Sequence, residues 1–209
     1  MRLLTILCLV LLVSCSQEVP TEVTPQSPEV ITENETVTRN GLIYHQSSRE
    51  PFTGVVQTFW VLGFFRYTGP LMSTTNYVDG ELNGLFESFH ENGRLERRGN
   101  YRDGELDGLW ESFYENGQLD MRRNHRDGEL DGLLERFYEN GQLQIGGNHR
   151  DGLLNGLWEG FHENGQLMIR ANFRDGERDG LQEHFNEDGN LTRTEMRRNG
   201  ELVEENTSP

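Results

Sequence analysis

From Gly84 onward, apolar and polar residues alternate with a period of two, interrupted at fixed intervals by glycine-containing turns. Two signals recur every 24 residues. One is Asp-Gly, at Asp79-Gly80, Asp103-Gly104, Asp127-Gly128, Asp151-Gly152 and Asp175-Gly176. The other is Glu-Asn-Gly, ending at Gly93, Gly117, Gly141 and Gly165, with Glu-Asp-Gly at Gly189. Such alternation predicts half-buried strands, and Asn-Gly or Asp-Gly between them predicts two-residue type I′ hairpins, whose central residues both need positive φ. Fixed self-similarity marks a repeat array, each unit packing mainly on its neighbours. The expected fold is all-β: an elongated antiparallel β-hairpin meander of about six repeats over residues 41–203, the first irregular.

The turns set a register. With Asn116-Gly117 as a two-residue turn, Tyr114 faces Leu119, Ser112 faces Met121, Glu111 faces Arg122 and Trp110 faces Arg123. With Asp127-Gly128 as another, His125 faces Leu130 and Arg123 faces Gly132. One face then carries Trp110, Tyr114, Leu119, Met121 and His125. Large residues lie there opposite small ones, as Phe86 by Gly99, Leu134 by Gly147 and Trp158 by Ala171. Trp110 breaks that rule by facing Arg123, which is able to stack on an indole. The other face carries the pairs Glu87–Arg98, Glu111–Arg122 and Glu159–Arg170, each worth under about 1 kcal/mol if exposed. It also carries Phe89, Phe113, Phe137, Phe161 and Phe185, one phenylalanine per repeat. A leucine-rich repeat fails because its leucines would fall on Asn116 and Arg126. An EF-hand beginning at Asp103 fails because its twelfth position is Tyr114.

These residues carry a resemblance. The unit Gly-Leu-Trp-Glu-Ser-Phe-Tyr-Glu-Asn-Gly-Gln-Leu, followed by Asn-x-Arg-Asp-Gly-Glu-Leu-x-Gly, resembles the bacterial variant of the MORN repeat over about residues 40–203. Tyr44 with Glu50-Pro51-Phe52-Thr53-Gly54 resembles the opening repeat of the same proteins. The resemblance implies a binding or scaffolding surface. Many of these proteins carry the label YwqK-like antitoxin, which implies an alternative as an antitoxin or immunity protein neutralising a partner enzyme.

The first 14 residues read as a signal peptide: Arg2, an apolar run from Leu3 to Val13, then Leu12-Val13-Ser14-Cys15. That junction resembles the lipobox of bacterial lipoproteins, which implies cleavage before Cys15 and its acylation, palmitate included. The Ser after Cys15 resembles the outer-membrane sorting pattern of Gram-negative hosts. Residues 15–40 are rich in Pro, Thr, Ser and Glu and read as a disordered tether, with 204–209 as a tail. A formal charge of −16 argues against nucleic acid and against direct adhesion to anionic lipid. Membrane contact is therefore expected through the lipid anchor alone.

Catalysis finds no foothold. Ser88 and Ser112 alternate with Arg136, Gly160 and His184 in one repeat column, where a nucleophile would not be exchanged so freely. His90 and His162 share a column with Tyr114 and Tyr138, and His125 and His149 share one with Tyr101 and Phe173, which marks packing residues. No metal or cofactor is expected. Two features remain as candidates for binding a protein or envelope polymer. One is the Phe89, Phe113, Phe137, Phe161 and Phe185 column. The other is the tip of the first repeat, where Val61, Leu62, Phe64 and Phe65 replace polar turn residues and six extra residues form a loop within 66–75.

Overall fold

The computed structural model describes residues 28–62 and 67–207. Its strands are β1 (Val30–Thr32), β2 (Thr36–Arg39), β3 (Leu42–His45), β4 (Gly54–Leu62), β5 (Tyr67–Val78), β6 (Glu81–Phe89), β7 (Leu95–Arg102), β8 (Glu105–Leu106) and β9 (Gly108–Phe113). They continue as β10 (Leu119–Arg126), β11 (Glu129–Phe137), β12 (Leu143–Arg150), β13 (Leu153–Phe161), β14 (Leu167–Arg174), β15 (Glu177–Phe185), β16 (Leu191–Arg198) and β17 (Glu201–Thr207). From β4 onward each strand pairs antiparallel with the next in one long sheet, the short β8 pairing with β7 beside the main path. The expected all-β hairpin array is what the chain forms.

The two kinds of turn differ. At the Asp-Gly turns both residues have positive φ, as at Asp127 (49°) and Gly128 (79°), which is the type I′ geometry. At the Glu-Asn-Gly turns only the glycine does, for example Gly117 at 89°. There the Gly117 N–H donates to the Tyr114 carbonyl and the Tyr114 N–H to the Gln118 carbonyl, both at 2.8 Å. This is a type I turn closed by a left-handed glycine, a three-residue loop rather than the expected two. The Asn116 side chain explains the preference, because its Oδ1 accepts from the Gln118 N–H at 2.8 Å.

The longer loop moves Leu119 opposite Phe113 rather than Tyr114. Asp120 then bulges out, and beyond it Ser112–Met121, Glu111–Arg122 and Trp110–Arg123 stand in the expected register. A second irregularity places Arg123 opposite Leu134 instead of Gly132, with His125 still opposite Leu130. That shift is even, so residues stay on their faces. Leu119 changes face and joins Phe113.

Neighbouring repeats are stitched along both long edges. At one edge His90, Tyr114, Tyr138 and His162 reach the carbonyls of Phe113, Phe137, Phe161 and Phe185, at 2.8, 2.7, 2.8 and 3.2 Å. The exchange of His for Tyr in this column therefore reflects a shared N–H or O–H donor and not packing alone. Beside it the Asn92, Asn116, Asn140 and Asn164 amides donate to the carbonyls of Glu115, Glu139, Glu163 and Glu187. At the other edge the N–H groups of Gly104, Gly128, Gly152 and Gly176 donate to Leu82, Leu106, Leu130 and Leu154.

Both ends are closed differently from the middle. Residues 30–39, assigned to the tether by composition, instead form β1, a 3-10 turn at Glu33–Glu35 and β2. Strand β1 pairs parallel with β4, and Ile31 is buried with Phe52 and Val56, against Ile43 and Tyr77. A short apolar run inside a polar stretch thus covers the first edge. The six-residue insertion extends β5 through Thr75 rather than forming a loop. At the far end β17 runs to Thr207, past the expected boundary of the tail. In the last repeat the inner-face columns read Gln182, His184, Arg193, Glu195 and Arg197, polar at every position. Glu195 is 1 % exposed and accepts from Arg197 Nε at 2.8 Å, with Arg193 on its other oxygen. A buried carboxylate needs such pairing, and the polar set ends the apolar stack.

Candidate binding surface

Period-two alternation along each first strand puts Leu85, Glu87 and Phe89 on one face, which we term outer, and Phe86 and Ser88 on the inner face. The bulges then place Leu95, Leu119, Leu143, Leu167 and Leu191 opposite Phe89, Phe113, Phe137, Phe161 and Phe185. Every phenylalanine of the column is half-buried, neither sealed in a core nor free in solvent. Arg98 and Arg122 lie over the rings of Phe113 and Phe137, 5.7 and 5.8 Å from their centroids. Among the described contacts no such pairing joins Arg123 to Trp110, whose ring stacks on Phe86 at 5.7 Å.

Between the apolar columns runs a band of charge. Each arginine stands between two glutamates, one on each neighbouring strand. Backbone register pairs Glu87 with Arg98 and Glu111 with Arg122, as expected. The side chains choose the other neighbour: Arg98 pairs with Glu111 at 2.5 Å, and Arg122 with Glu135. Arg170 holds both Glu159 at 2.9 Å and Glu183 at 3.7 Å. These pairs link successive repeats. With the arginines nearly half exposed, each adds little beyond register.

On the far side of this band lies an apolar column that the hairpin reasoning passed over. Leu85, Leu109, Leu157 and Leu181 are 41–44 % exposed, and Leu133 is half-buried. The signal was available, since each leucine precedes its glutamate by two residues and so shares its face. The outer face therefore presents exposed leucines, a Glu–Arg band and half-buried Phe–Leu pairs, repeated along the array.

Of the other expected site residues, Val61 and Leu62 belong to β4, where their backbones pair with Thr68 and Tyr67. Phe64, Phe65 and Cys15 lie outside the described residues. On the inner face, burial pushes the His125 and His149 imidazoles below their usual value, with Arg123 adding to the shift at His125. Both keep a buried Nδ1 without a partner among the described residues. The described residues hold no group of three or more His, Cys, Asp or Glu able to ligate a metal, and no helix long and apolar enough to cross a membrane.

Residues 82–103, 106–127, 130–148 and 154–175 each match the family model described as MORN repeat variant. The match supports a MORN-repeat reading of the regular units, in agreement with the resemblance their residues carry. No curated protein matches the chain.

Proposed function

We propose that this chain is a lipid-anchored, non-enzymatic repeat protein of the cell envelope whose outer face docks a protein partner. The observation that carries the reading is the column of leucines 41–44 % exposed beside half-buried phenylalanines on one face. Repeat packing does not require those leucines, because the inner face and the two edges already join the units. Contiguous exposed apolar surface marks interaction sites. Glutamates interleave with it in a chain of formal charge −16, so the complementary partner presents apolar side chains flanked by Lys or Arg. Anchorage rests on the Leu12-Val13-Ser14-Cys15 junction, which supports acylation at Cys15, and the outer membrane is the site this sequence favours in a Gram-negative host.

The test is photocrosslinking in intact cells with a benzophenone residue at Leu109 or Leu157, and at Glu139 as a turn control. A partner captured from the leucine positions and not from Glu139 is the expected result. With the benzophenone residue placed at Leu133 instead, the double change Leu109→Ser with Leu157→Ser abolishes capture while the chain still melts in one cooperative transition. Capture from all three positions alike, or capture surviving the double change, would refute outer-face docking. Anchorage is read separately, through Cys15→Ala, which releases the chain from the membrane fraction or leaves its signal peptide uncut.

A further inference from the structure

Two cavities of about 310 and 460 Å³ adjoin on the inner face, with His90 and Glu96 lining both. Each falls within the range of about 300–1,000 Å³ usual for ligand sites. An indole stands at each: Trp110 in the first and Trp60 in the second. Trp60 Nε1 and Arg123 Nε are buried donors without a hydrogen-bond partner among the described residues. An unpaired buried donor costs roughly 1–3 kcal/mol, a penalty that a ligand oxygen would remove.

The acceptors are equally specific to this place. Glu96 and Asp120 are the residues bulged out of their strands, and a serine of the same hairpin holds each from behind. Ser88 Oγ donates to Glu96 Oε2 at 3.1 Å, and Ser112 Oγ to Asp120 Oδ2 at 2.9 Å. In the next three repeats the acidic position reads Gln144, Met168 and Thr192, and the serine position reads Arg136, Gly160 and His184. The fold therefore does not require a serine–carboxylate pair. It occurs in the two repeats that border the cavities. Arg123 is likewise an exception, in a column that elsewhere reads Gly99, Gly147, Ala171 and Glu195.

Charge decides the ligand class. Glu96 pairs with Arg97 at 3.1 Å and Asp120 with Arg136 at 3.3 Å, and Glu91 and Glu115 add negative charge around the two cavities, which disfavours phosphate and other anions. A simple cation would leave the orphaned N–H groups unpaired. A neutral polyhydroxylated ring uses everything present. Its hydroxyls donate to the fixed carboxylates and accept from the two buried donors, and its apolar C–H face covers an indole. We propose that this cleft binds a neutral saccharide, and that two adjoining cavities suit a short chain of sugars rather than one. The inference concerns the inner face and stands independently of protein docking on the outer face.

Calorimetric titration of the full chain with cellotetraose and with chitotetraose tests it. Saturable binding of at least one sugar is expected, weakened tenfold or more by Arg123→Gln and by Asp120→Asn. Melting curves run in parallel. If Arg123→Gln unfolds the protein, Glu96→Gln takes its place, with the same tenfold loss expected. Absence of saturable binding to both sugars overturns the proposal, as does unchanged affinity in folded variants.

Discussion

The Tyr114 hydroxyl donates to the backbone carbonyl of Phe137, 2.7 Å away and one repeat further along the chain. Tyr138 repeats the contact to Phe161 at 2.8 Å, and His90 and His162 make it through an imidazole nitrogen. A conserved geometry served by two side-chain types is a join between units, and joins of this kind set the cooperativity of a repeat array. Tyr114→Phe keeps the ring and removes only the donor, so it should cost about 0.5–1.5 kcal/mol in urea denaturation. Asn116→Ala removes both its turn bond to Gln118 and its bond to Glu139, and should cost about twice as much. No loss in either variant would mean that the edge bonds do not couple the repeats.

The two turn types respond differently to substitution. Asp127 sits at φ 49°, where an alanine lacks the short polar side chain that eases this conformation. Asp127→Ala should therefore destabilise by about 1 kcal/mol. Gly141 at φ 84° tolerates no β-branched residue, and Gly141→Val should lower the melting temperature by several degrees. Glu139→Gln, in the same turn but exposed, should change it by less than about 1 °C.

Much of this was legible in the sequence, and what was not has a common cause. Period, faces, and the pairs from Trp110–Arg123 to Ser112–Met121 follow from alternation and turn spacing. The Asn-Gly loop was one residue longer than its dipeptide suggested, because Asn116 caps its own turn through Gln118 instead of adopting positive φ. The bulge at Asp120 compensates, so the mid-strand register came out as expected while Leu119 changed face. Bonds between repeats, such as Tyr114 to Phe137, and ion pairs that choose the farther glutamate depend on side-chain reach. Alternation carries no information about reach. The cover formed by Ile31 depends on contacts with Phe52 and Val56, more than twenty residues away in sequence, and its polar flanks disguise it.

Burial lowers the pKa of His125, His149 and His184, with Arg123 adding at His125 and Arg193 and Arg178 at His184. In the unfolded chain each titrates near the usual 6.5. Above that pH both states hold the imidazoles neutral and their contribution to stability is complete. As pH falls through 6.5 the unfolded state takes up protons first, so stability is lost towards the lower folded values. The melting temperature should fall between pH 7 and pH 5. The double change His125→Tyr with His149→Phe places aromatics that the same column already holds at Tyr101 and Phe173, and should flatten that fall. An equally steep fall in the double variant would assign the acid sensitivity to His184 or to carboxylates instead.

Deleting residues 132–155 as one unit should leave a folded, shorter array. The cut removes 24 residues and joins Asp131 to Gly156, so every column keeps its place. Tyr114 then meets the carbonyl of Phe161 where it had met Phe137, and Asn116 meets Glu163 in place of Glu139. On the inner face Trp158 replaces Leu134 opposite Arg123, and Gly160 replaces Arg136 opposite Met121, which also removes the ion pair of Arg136 with Asp120. On the outer face Arg122 finds Glu159 in place of Glu135. Because each unit couples chiefly to its neighbours, the deletion removes one unit and one interface and leaves the other joins intact. The shortened chain should melt cooperatively, at a somewhat lower temperature. Deleting 12 residues, 132–143, breaks the alternation of turn types and should abolish the cooperative transition. Equal melting of the two deletions would show that the 24-residue unit is not the folding unit.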